Sequence, residues 1–302
     1  MGLEALFDPA FAASVPRFVA PILLAALGGA LCERAGVFNI ALEGFILVGA
    51  FAAVMGAFFL GSAWLGLACA MLGGVVMGLL FAEFHLRRPG DPIVVSIALN
   101  LLAAGITVYL LRTLLGVTGA FRDPAIPRLP DLHLPGIEAI PLLGDVLSGQ
   151  SVLFYAAIGL ALGLHVMFRR HRLGLRLRAA GENPAALAAG GVSPARTRLI
   201  ALVACGALCG MAGAQLAISN VTLFVEGMSA GRGWIAVVAV LLTRGRPLPL
   251  LAIVMLFGFV DSLSFRVQGL GWPQQFTDML PYVVTLAVLV ALSWWRLRQR
   301  AG

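Results

Sequence analysis

The feature that most constrains this chain is a repeated pattern of apolar blocks, most of them about 15 to 25 residues long. A helix rises about 1.5 Å per residue, so such a block matches the roughly 30 Å hydrocarbon core of a membrane. Only 12% of the 302 residues are charged, and the mean hydropathy is +0.97. Soluble domains carry about 25% charged residues, so a water-soluble globule is excluded. The sequence predicts an all-α, polytopic membrane protein with about nine (eight to ten) transmembrane helices.

The apolar blocks define nine provisional spans within a single transmembrane domain, 1–302. They cover residues 18–32, 37–60, 63–86, 92–115, 151–168, 199–220, 233–243, 248–265 and 278–295. The block at 233–243 is too short to cross a membrane alone. It is either a half-helix or the end of a longer helix that includes the stretch from Met228 to Gly233.

Three GxxxG pairs begin at Gly74, Gly159 and Gly206. Small residues at this spacing let two membrane helices approach closely. We therefore expect these pairs to serve helix packing rather than substrate contact.

The distribution of arginine predicts the orientation of the chain. All 21 basic residues are arginine, and the alternation of nine spans places fifteen of them on one side and six on the other. Positively charged loops stay in the cytoplasm. We expect the N-terminus outside and the C-terminus in the cytoplasm.

The absence of lysine removes several functions. A phosphate-binding P-loop needs the lysine of Gly-x-x-x-x-Gly-Lys-Ser/Thr, so we do not expect this chain to hydrolyse ATP. The histidines form no metal-binding pair on a helix, and the cysteines form no Cys-x-x-Cys motif. We therefore predict no catalytic residue, no metal site and no cofactor on this chain. Nucleic-acid binding is also disfavoured, because no basic soluble domain is present.

Two loops are long enough to have a role of their own. Loop 116–150 is predicted to be extracytoplasmic, and its prolines and acidic residues suit either an irregular cap or a plain connector. Loop 169–198 is predicted to be cytoplasmic and contains a basic stretch followed by a short helix. Asn183 is a good N-cap, Pro184 suits the first helical position, and Gly190 with Gly191 can end the helix. Such a helix would dock on another protein, although a plain exposed loop explains the pattern equally well.

Glu43 is the clearest polar candidate at membrane depth. An ionisable residue there costs about 2.5 to 3.5 kcal/mol and is a functional candidate by default. Asn39 lies four residues earlier, so both side chains share one helix face. They either line a substrate path or bind backbone groups that are freed near Gly36 and Gly44.

Three further residues are candidates for the same path. Asn100 adds a second amide in the fourth span, Trp234 offers an aromatic surface, and Asp261 is an outer carboxylate. The side chains of Asn39, Glu43 and Asn100 suit weak, exchangeable hydrogen bonds with a passing solute.

Five motifs occur in order along most of residues 20–295. They are Glu33-Arg34-Ala35-Gly36-Val37-Phe38-Asn39 continuing to Glu43-Gly44, Ser96 to Asn100, Gly181-Glu182-Asn183-Pro184-Ala185, Gly227 to Ala236, and Met279 to Leu286. Together they resemble the permease subunits of bacterial ABC importers of the branched-chain amino acid and simple-sugar type, most closely the nucleoside or simple-sugar subgroup.

The resemblance implies the ABC importer permease fold and a set of partners. These are a second, paralogous permease subunit, an ABC ATPase subunit that carries ATP and Mg, an extracytoplasmic substrate-binding protein and membrane lipid. The chain would lie in the bacterial inner membrane and import a nucleoside, a purine-like base or a simple sugar by alternating access. The residues implied to couple it to the ATPase are Gly181, Glu182, Asn183, Pro184, Ala185, Ala186, Ala189 and Gly190.

Two other classes compete with this interpretation. An ion-coupled secondary transporter needs paired intramembrane carboxylates or inverted repeats, and Glu43 and Asp261 are isolated in the sequence. An intramembrane enzyme needs a catalytic constellation, and none stands out.

Overall fold

The computed structural model describes residues 9–133 and 148–269, together with helical positions 279, 280, 283, 284, 286 and 290. Ten helices lie in the two continuous ranges. They are α1 (Pro9–Arg34), α2 (Leu42–Leu60), α3 (Ala63–Ala82), α4 (Pro92–Leu115), α5 (Val152–Arg170), α6 (Arg172–Glu182), α7 (Pro184–Ala189), α8 (Pro194–Ala214), α9 (Arg232–Thr243) and α10 (Pro247–Gly269). Two π-helical turns, Glu83–Arg87 and Gln215–Asn220, extend α3 and α8.

Seven of the described helices are long and apolar enough to cross a membrane. These are α1, α2, α3, α4, α5, α8 and α10, which confirms the all-α, multi-pass prediction. Helix α9 has 12 residues and begins at Arg232, so the half-helix alternative for block 233–243 is the one observed. The last predicted span, 278–295, lies outside the described residues except for the helical positions given above.

Helix α8 lies at the centre of the bundle and packs against α1, α2 and α3. Gly74 of α3 meets Gly206 of α8 so closely that a Cβ added to Gly74 would collide with the Gly206 carbonyl oxygen. This confirms the packing role of the GxxxG pairs that begin at these two glycines. The pair that begins at Gly159 differs, because a Cβ added there meets no described atom within 4 Å. Within the described part of the chain no helix packs closely on that pair, so its packing role stays a prediction.

The second apolar block is broken at its start. Residues 37–40 are not helical and α2 begins at Leu42, so the predicted span 37–60 starts too early. The Asn39 side chain explains the difference, since its Oδ1 accepts a hydrogen bond from the Ala41 backbone N–H at 2.8 Å. A local turn of this kind competes with helix formation. Gly36 precedes the break with a φ of 72°, a conformation that costs glycine little.

Two short antiparallel strand pairs tie loop 116–150 to the bundle. β1 (Ala120–Phe121) pairs with β4 (Phe224–Val225), and β2 (Asp131–Leu132) pairs with β3 (Gln150–Ser151). We call this region the strand-bearing end. The described parts of the loop are therefore fixed by backbone hydrogen bonds, which loop composition alone did not indicate. Residues 134–147 lie outside the described part of the chain.

The other end of the bundle collects many of the arginines, and we call it the arginine-rich end. It includes Arg34, Arg87, Arg169, Arg170, Arg172, Arg176, Arg178, Arg196, Arg198 and Arg244. Contacts hold this end together: the Arg34 Nε donates to the Gly245 carbonyl oxygen at 3.2 Å, and the Arg34 guanidinium lies 5.7 Å from the ring centre of Phe168. That this end faces the cytoplasm stays a prediction.

The basic stretch of loop 169–198 forms a helix, α6, that the sequence analysis did not predict. Its apolar residues explain the helix, because Leu173 and Leu177 are four residues apart and lie on one face. The side chain of Leu177 is buried, whereas Arg172 and Arg176 are exposed. α6 is an amphipathic helix at the arginine-rich end of the bundle.

The short helix that the sequence predicts after Asn183 is α7. The Asn183 Oδ1 accepts a hydrogen bond from the Ala186 backbone N–H at 3.0 Å, so Asn183 is the predicted N-cap. Gly190 is the C-cap of α7 and Gly191 follows it with a φ of 77°, so these two glycines end the helix as predicted. Glu182 is the last residue of α6.

Candidate transport site

The Glu43 carboxylate caps the half-helix α9. Glu43 lies in the first turn of α2, and its Oε1 accepts a hydrogen bond from the Gly231 N–H at 2.8 Å while its Oε2 accepts one from the Gly233 N–H at 2.7 Å. The first N–H groups of a helix lack intrahelical partners and carry partial positive charge. The carboxylate supplies both the partners and the opposite charge, so it fixes the start of α9 against α2.

Gly233 makes this cap sterically feasible. A Cβ added at position 233 would collide with the backbone of Glu43. Gly231 precedes it as the N-cap of α9, with a φ of 81°. Backbone N–H groups can reach the carboxylate only because no side chain stands between them.

An amide and a hydroxyl of α4 stabilise the break before α2. The Asn100 Oδ1 accepts from the Gly44 N–H at 2.8 Å, and the Asn100 Nδ2 donates to the Ile40 carbonyl oxygen at 3.1 Å. The Ser96 hydroxyl oxygen accepts from the Ile40 N–H at 3.2 Å. Exposed backbone groups are costly at membrane depth, and these side chains satisfy them.

Asn39 completes this set from the buried side. Its Nδ2 points toward two thiols, with distances of 4.0 Å to the Cys32 Sγ and 3.7 Å to the Cys205 Sγ. Asn39 itself is buried. The structure thus brings Asn39, Glu43 and Asn100 together around the first residues of α2.

Trp234 and Asp261 lie near the start of α9. The Asp261 Oδ2 is 3.8 Å from the Arg232 Nε, and each of these two side chains is 20% exposed. Trp234 follows directly after Gly233 and is 42% exposed. All five path candidates therefore lie at or beside the break before α2 and the start of α9.

The contacts seen here favour the backbone-binding alternative without deciding the substrate role. The crevice that Asn39 lines with Gly29, Val37 and Leu42 holds about 10 Å³, which is about one water molecule. A solute does not fit there in this conformation. The role of the five residues in a substrate path stays a prediction.

The sequence analysis gave no role to three groups at this site, although it named them within two of the five motifs. Gly231 and Gly233 act through backbone N–H groups, and the density of glycine in the stretch 227–233 indicated an unusual backbone. Ser96 lies four residues before Asn100 on the same helix face, and that spacing was the available signal.

The second candidate surface is α7. Leu187 is buried and anchors the helix, whereas the other five residues of α7 are exposed. Most of the exposed side chains are alanine, so the surface is small and weakly polar. An isolated helix this short is marginal in water, and docking would stabilise it.

A close backbone contact joins this loop to the break before α2. A Cβ added to Gly36 would lie 2.8 Å from the Cα of Gly181, near the end of α6. Arg198 of α8 reinforces the contact: its Nε donates to the Ala35 carbonyl oxygen at 3.3 Å and its Nη2 donates to the Ala180 carbonyl oxygen at 3.1 Å. The end of α6, which leads directly into α7, is thus clamped to the segment that leads to Asn39 and Glu43.

Membrane-length helices packed beside a half-helix, with polar side chains that satisfy a broken backbone, are typical of polytopic membrane transport proteins. Residues 11–289 match the family model described as branched-chain amino acid transport system / permease component. The chain belongs to this family. It is a transport subunit rather than an enzyme, and membership implies an ATPase partner and a substrate-binding protein.

Individual relatives agree with this assignment. The guanosine ABC transporter permease protein NupQ of Bacillus subtilis is 31% identical over 285 residues, which cover 90% of this chain and 88% of the relative. The glucose ABC transporter permease protein TsgB13 of Haloferax volcanii is 29% identical over 293 residues, which cover 92% and 76%. A solved structure described as an inward-facing metal-chelate type ABC transporter is similar in fold, with a TM-score of 0.50, 18% identity, and coverage of 93% of this chain and 88% of that chain.

Proposed function

We propose that this chain is one membrane half of an ATP-driven importer for an uncharged nucleoside, purine-like base or simple sugar. The permease family and the guanosine and glucose transporter relatives support this range of substrates. The start of α9, between α2 and α10, is the proposed solute path.

The Glu43 cap is the observation that supports an uncharged substrate. A half-helix N-terminus in a transporter commonly faces an anionic group of the substrate. Here the Glu43 carboxylate already accepts from the Gly231 and Gly233 N–H groups, so a second anion is disfavoured by like charge. Hydroxyl and amide groups can exchange hydrogen bonds with Asn39, Asn100 and Glu43 at low cost, and Trp234 can stack on a flat base or sugar face.

Coupling to ATP hydrolysis is proposed to occur through α7. The exposed alanine surface docks on the ATPase, which holds ATP and Mg, and the Gly36–Gly181 contact carries the movement to the break before α2. The arginine-rich end then faces the cytoplasm, the N-terminus lies outside and the C-terminus lies inside, in a bacterial inner membrane.

A second permease subunit is proposed to complete the path. The crevice beside Asn39 holds only about 10 Å³, so a solute-sized path requires a facing subunit or a change in conformation. A paralogous partner predicts that two different permease chains co-purify with the ATPase. Recovery of only this permease chain would contradict the heterodimer.

An ion-coupled secondary transporter is the alternative function. It would need a carboxylate that gains and loses a proton or ion during transport. Glu43 is engaged by two N–H groups and Asp261 faces Arg232 at 3.8 Å, so both carboxylates are held by the protein. Uptake by this chain in vesicles without any ATPase would support the alternative and contradict our proposal.

The substrate class is tested with the whole importer in vesicles, loaded with ATP on the ATPase side. Labelled guanosine, uridine, glucose and an anionic nucleoside monophosphate are offered with the cognate binding protein. We expect ATP-dependent uptake of at least one uncharged solute and none of the monophosphate. Preferred uptake of the monophosphate would overturn the argument from the Glu43 cap.

The path itself is tested by thiol labelling. Asn39→Cys and Asn100→Cys, in a background without the four native cysteines, should react with a water-soluble reagent in a nucleotide-dependent manner. Ala103→Cys, which is buried one turn from Asn100, is the control. If both positions stay unlabelled in every nucleotide state while uptake survives, these residues are packing groups.

A further inference from the structure

An apolar groove at the arginine-rich end has no role in the path or in the α7 surface. It lies between α1, α5, α6 and α8, has a volume of about 560 Å³, and is lined by Leu31, Leu164, Met167, Leu177 and Ile200 among others. Ile200 is 55% exposed, so part of this lining is open to the surroundings of the chain.

The dimensions of the groove suit a hydrocarbon chain. It extends along α8 from Arg196 to Ala204, and eight helical residues span about 12 Å. One leaflet contributes about 15 Å, half of the roughly 30 Å hydrocarbon core. The groove therefore covers most of the depth of one leaflet.

The mouth of the groove is cationic. Arg176 of α6 and Arg196 of α8 both line it, and the described lining includes no acidic residue. Within the described ranges, neither guanidinium makes an ion pair or a hydrogen bond. The other polar lining groups are engaged locally, since the Ser193 Oγ accepts from the Arg196 N–H and the Thr197 hydroxyl donates to the Ser193 carbonyl oxygen. Two arginines are thus available to a negatively charged group from outside the chain.

A second apolar groove begins on the other side of Arg196. It has a volume of about 640 Å³ and is lined by Val76, Leu79 and Leu199, with Arg87 paired to Glu83 at its edge. Arg196 lines both grooves, so this positively charged residue borders two apolar surfaces. A phosphate that carries two acyl chains has the same arrangement of charge and hydrocarbon.

We propose that this part of the chain binds an anionic phospholipid, with its phosphate at Arg176 and Arg196 and an acyl chain in the groove along α8. Basic pockets between membrane helices are known to recognise anionic headgroups. The proposal rests on the membrane location of the chain and is independent of the transported solute. Because α6 forms one wall of the groove, the lipid would pack against the helix that leads into α7.

The test uses the assembled importer purified in detergent. It is incubated with mixed micelles that hold equal amounts of phosphatidylglycerol and phosphatidylethanolamine with the same acyl chains, purified again, and its bound lipid is counted by mass spectrometry. We expect the wild type to retain phosphatidylglycerol in preference to phosphatidylethanolamine. Arg176→Gln and Arg196→Gln should each lower phosphatidylglycerol retention roughly fivefold. Arg172→Gln, an exposed arginine of α6 outside the groove lining, is the matched control.

A second set of variants tests the apolar lining of the groove separately from the two arginines. Ile200→Trp should displace the acyl chain and lower retention while both arginines remain, whereas Leu162→Trp, at an exposed position of α5 outside the lining, should not. Arg196→Lys keeps the charge and should retain more lipid than Arg196→Gln. Equal retention of both lipids by the wild type, or equal loss in Arg172→Gln, would overturn the proposal. So would lipid that binds the separate chain but is absent from the assembled importer, since a partner protein would then occupy the groove.

Discussion

The break before α2 and the α7 surface use their polar and apolar groups in opposite ways. At the break, the Glu43 carboxylate and the Asn100 amide bind backbone groups of this chain. On α7, five of six residues are exposed and only Leu187 is buried. The first region is built to hold its own helices in register, and the second is left for a partner to cover. Substitutions should therefore damage assembly at the break and coupling at α7.

The largest effect is expected at Gly233, where the two helices touch. Gly233→Ala places a Cβ against the backbone of Glu43 and removes the geometry of the cap. Overpacking of this kind should lower both the amount of assembled importer and ATP-dependent uptake about tenfold or more. Gly105→Ala in α4 is the control, because a Cβ there meets no described atom within 4 Å. Normal assembly and uptake by Gly233→Ala would mean that the cap is dispensable.

A bulky side chain on α7 should impair transport without affecting assembly. Ala186→Trp and Ala189→Trp enlarge an exposed surface that is proposed to dock on the ATPase, so uptake should fall about tenfold while ATP hydrolysis continues. The measurement compares solute uptake and phosphate release in the same vesicles. Leu175→Trp, at an exposed leucine of α6, is the control and should keep uptake. Full uptake by both α7 variants would show that this surface is not the docking site.

The same contrast explains what the sequence could and could not predict. The N-cap of α7 joins Asn183 to Ala186, three residues away, so local pattern was sufficient. The Glu43 cap joins residues 188 and 190 positions apart, and no local pattern contains such a contact. Hydrophobicity predicted the membrane helices but not the break before α2, because residues 37–41 are nearly as apolar as α2 itself. Amphipathic α6 was missed because its arginines masked the spacing of Leu173 and Leu177.

Removing the charge of Glu43 should lower uptake less than filling the space that Gly233 leaves beside it. Glu43→Gln keeps one oxygen acceptor but turns an amide N–H₂ toward the second backbone donor. The loss of a charge-assisted bond, about 1.5 kcal/mol or more, predicts about tenfold lower uptake with most of the assembly retained. Glu226→Gln is a matched control, since the Glu226 Oε1 also accepts from a backbone N–H, that of Gly119, at an exposed position. Equal losses in the two variants would indicate that the membrane-depth position of Glu43 has no special role.

The smallest effect is expected at Arg198, which joins the two regions. Its guanidinium reaches the Ala35 and Ala180 carbonyl oxygens at once, and a lysine ammonium cannot reproduce this planar, two-pronged contact. The Gly36–Gly181 contact remains in Arg198→Lys, so the end of α6 should be held less tightly to the break before α2 without separating from it. We expect the number of solutes imported per ATP hydrolysed to fall roughly two- to threefold, which corresponds to about 0.5 kcal/mol. Arg170→Lys, at the exposed end of α5, should leave this ratio unchanged. This ratio distinguishes a coupling role of Arg198 from a purely structural role, because a loss of folded protein would lower uptake and hydrolysis together. An unchanged ratio in Arg198→Lys would mean that α7 moves the break before α2 through some other contact.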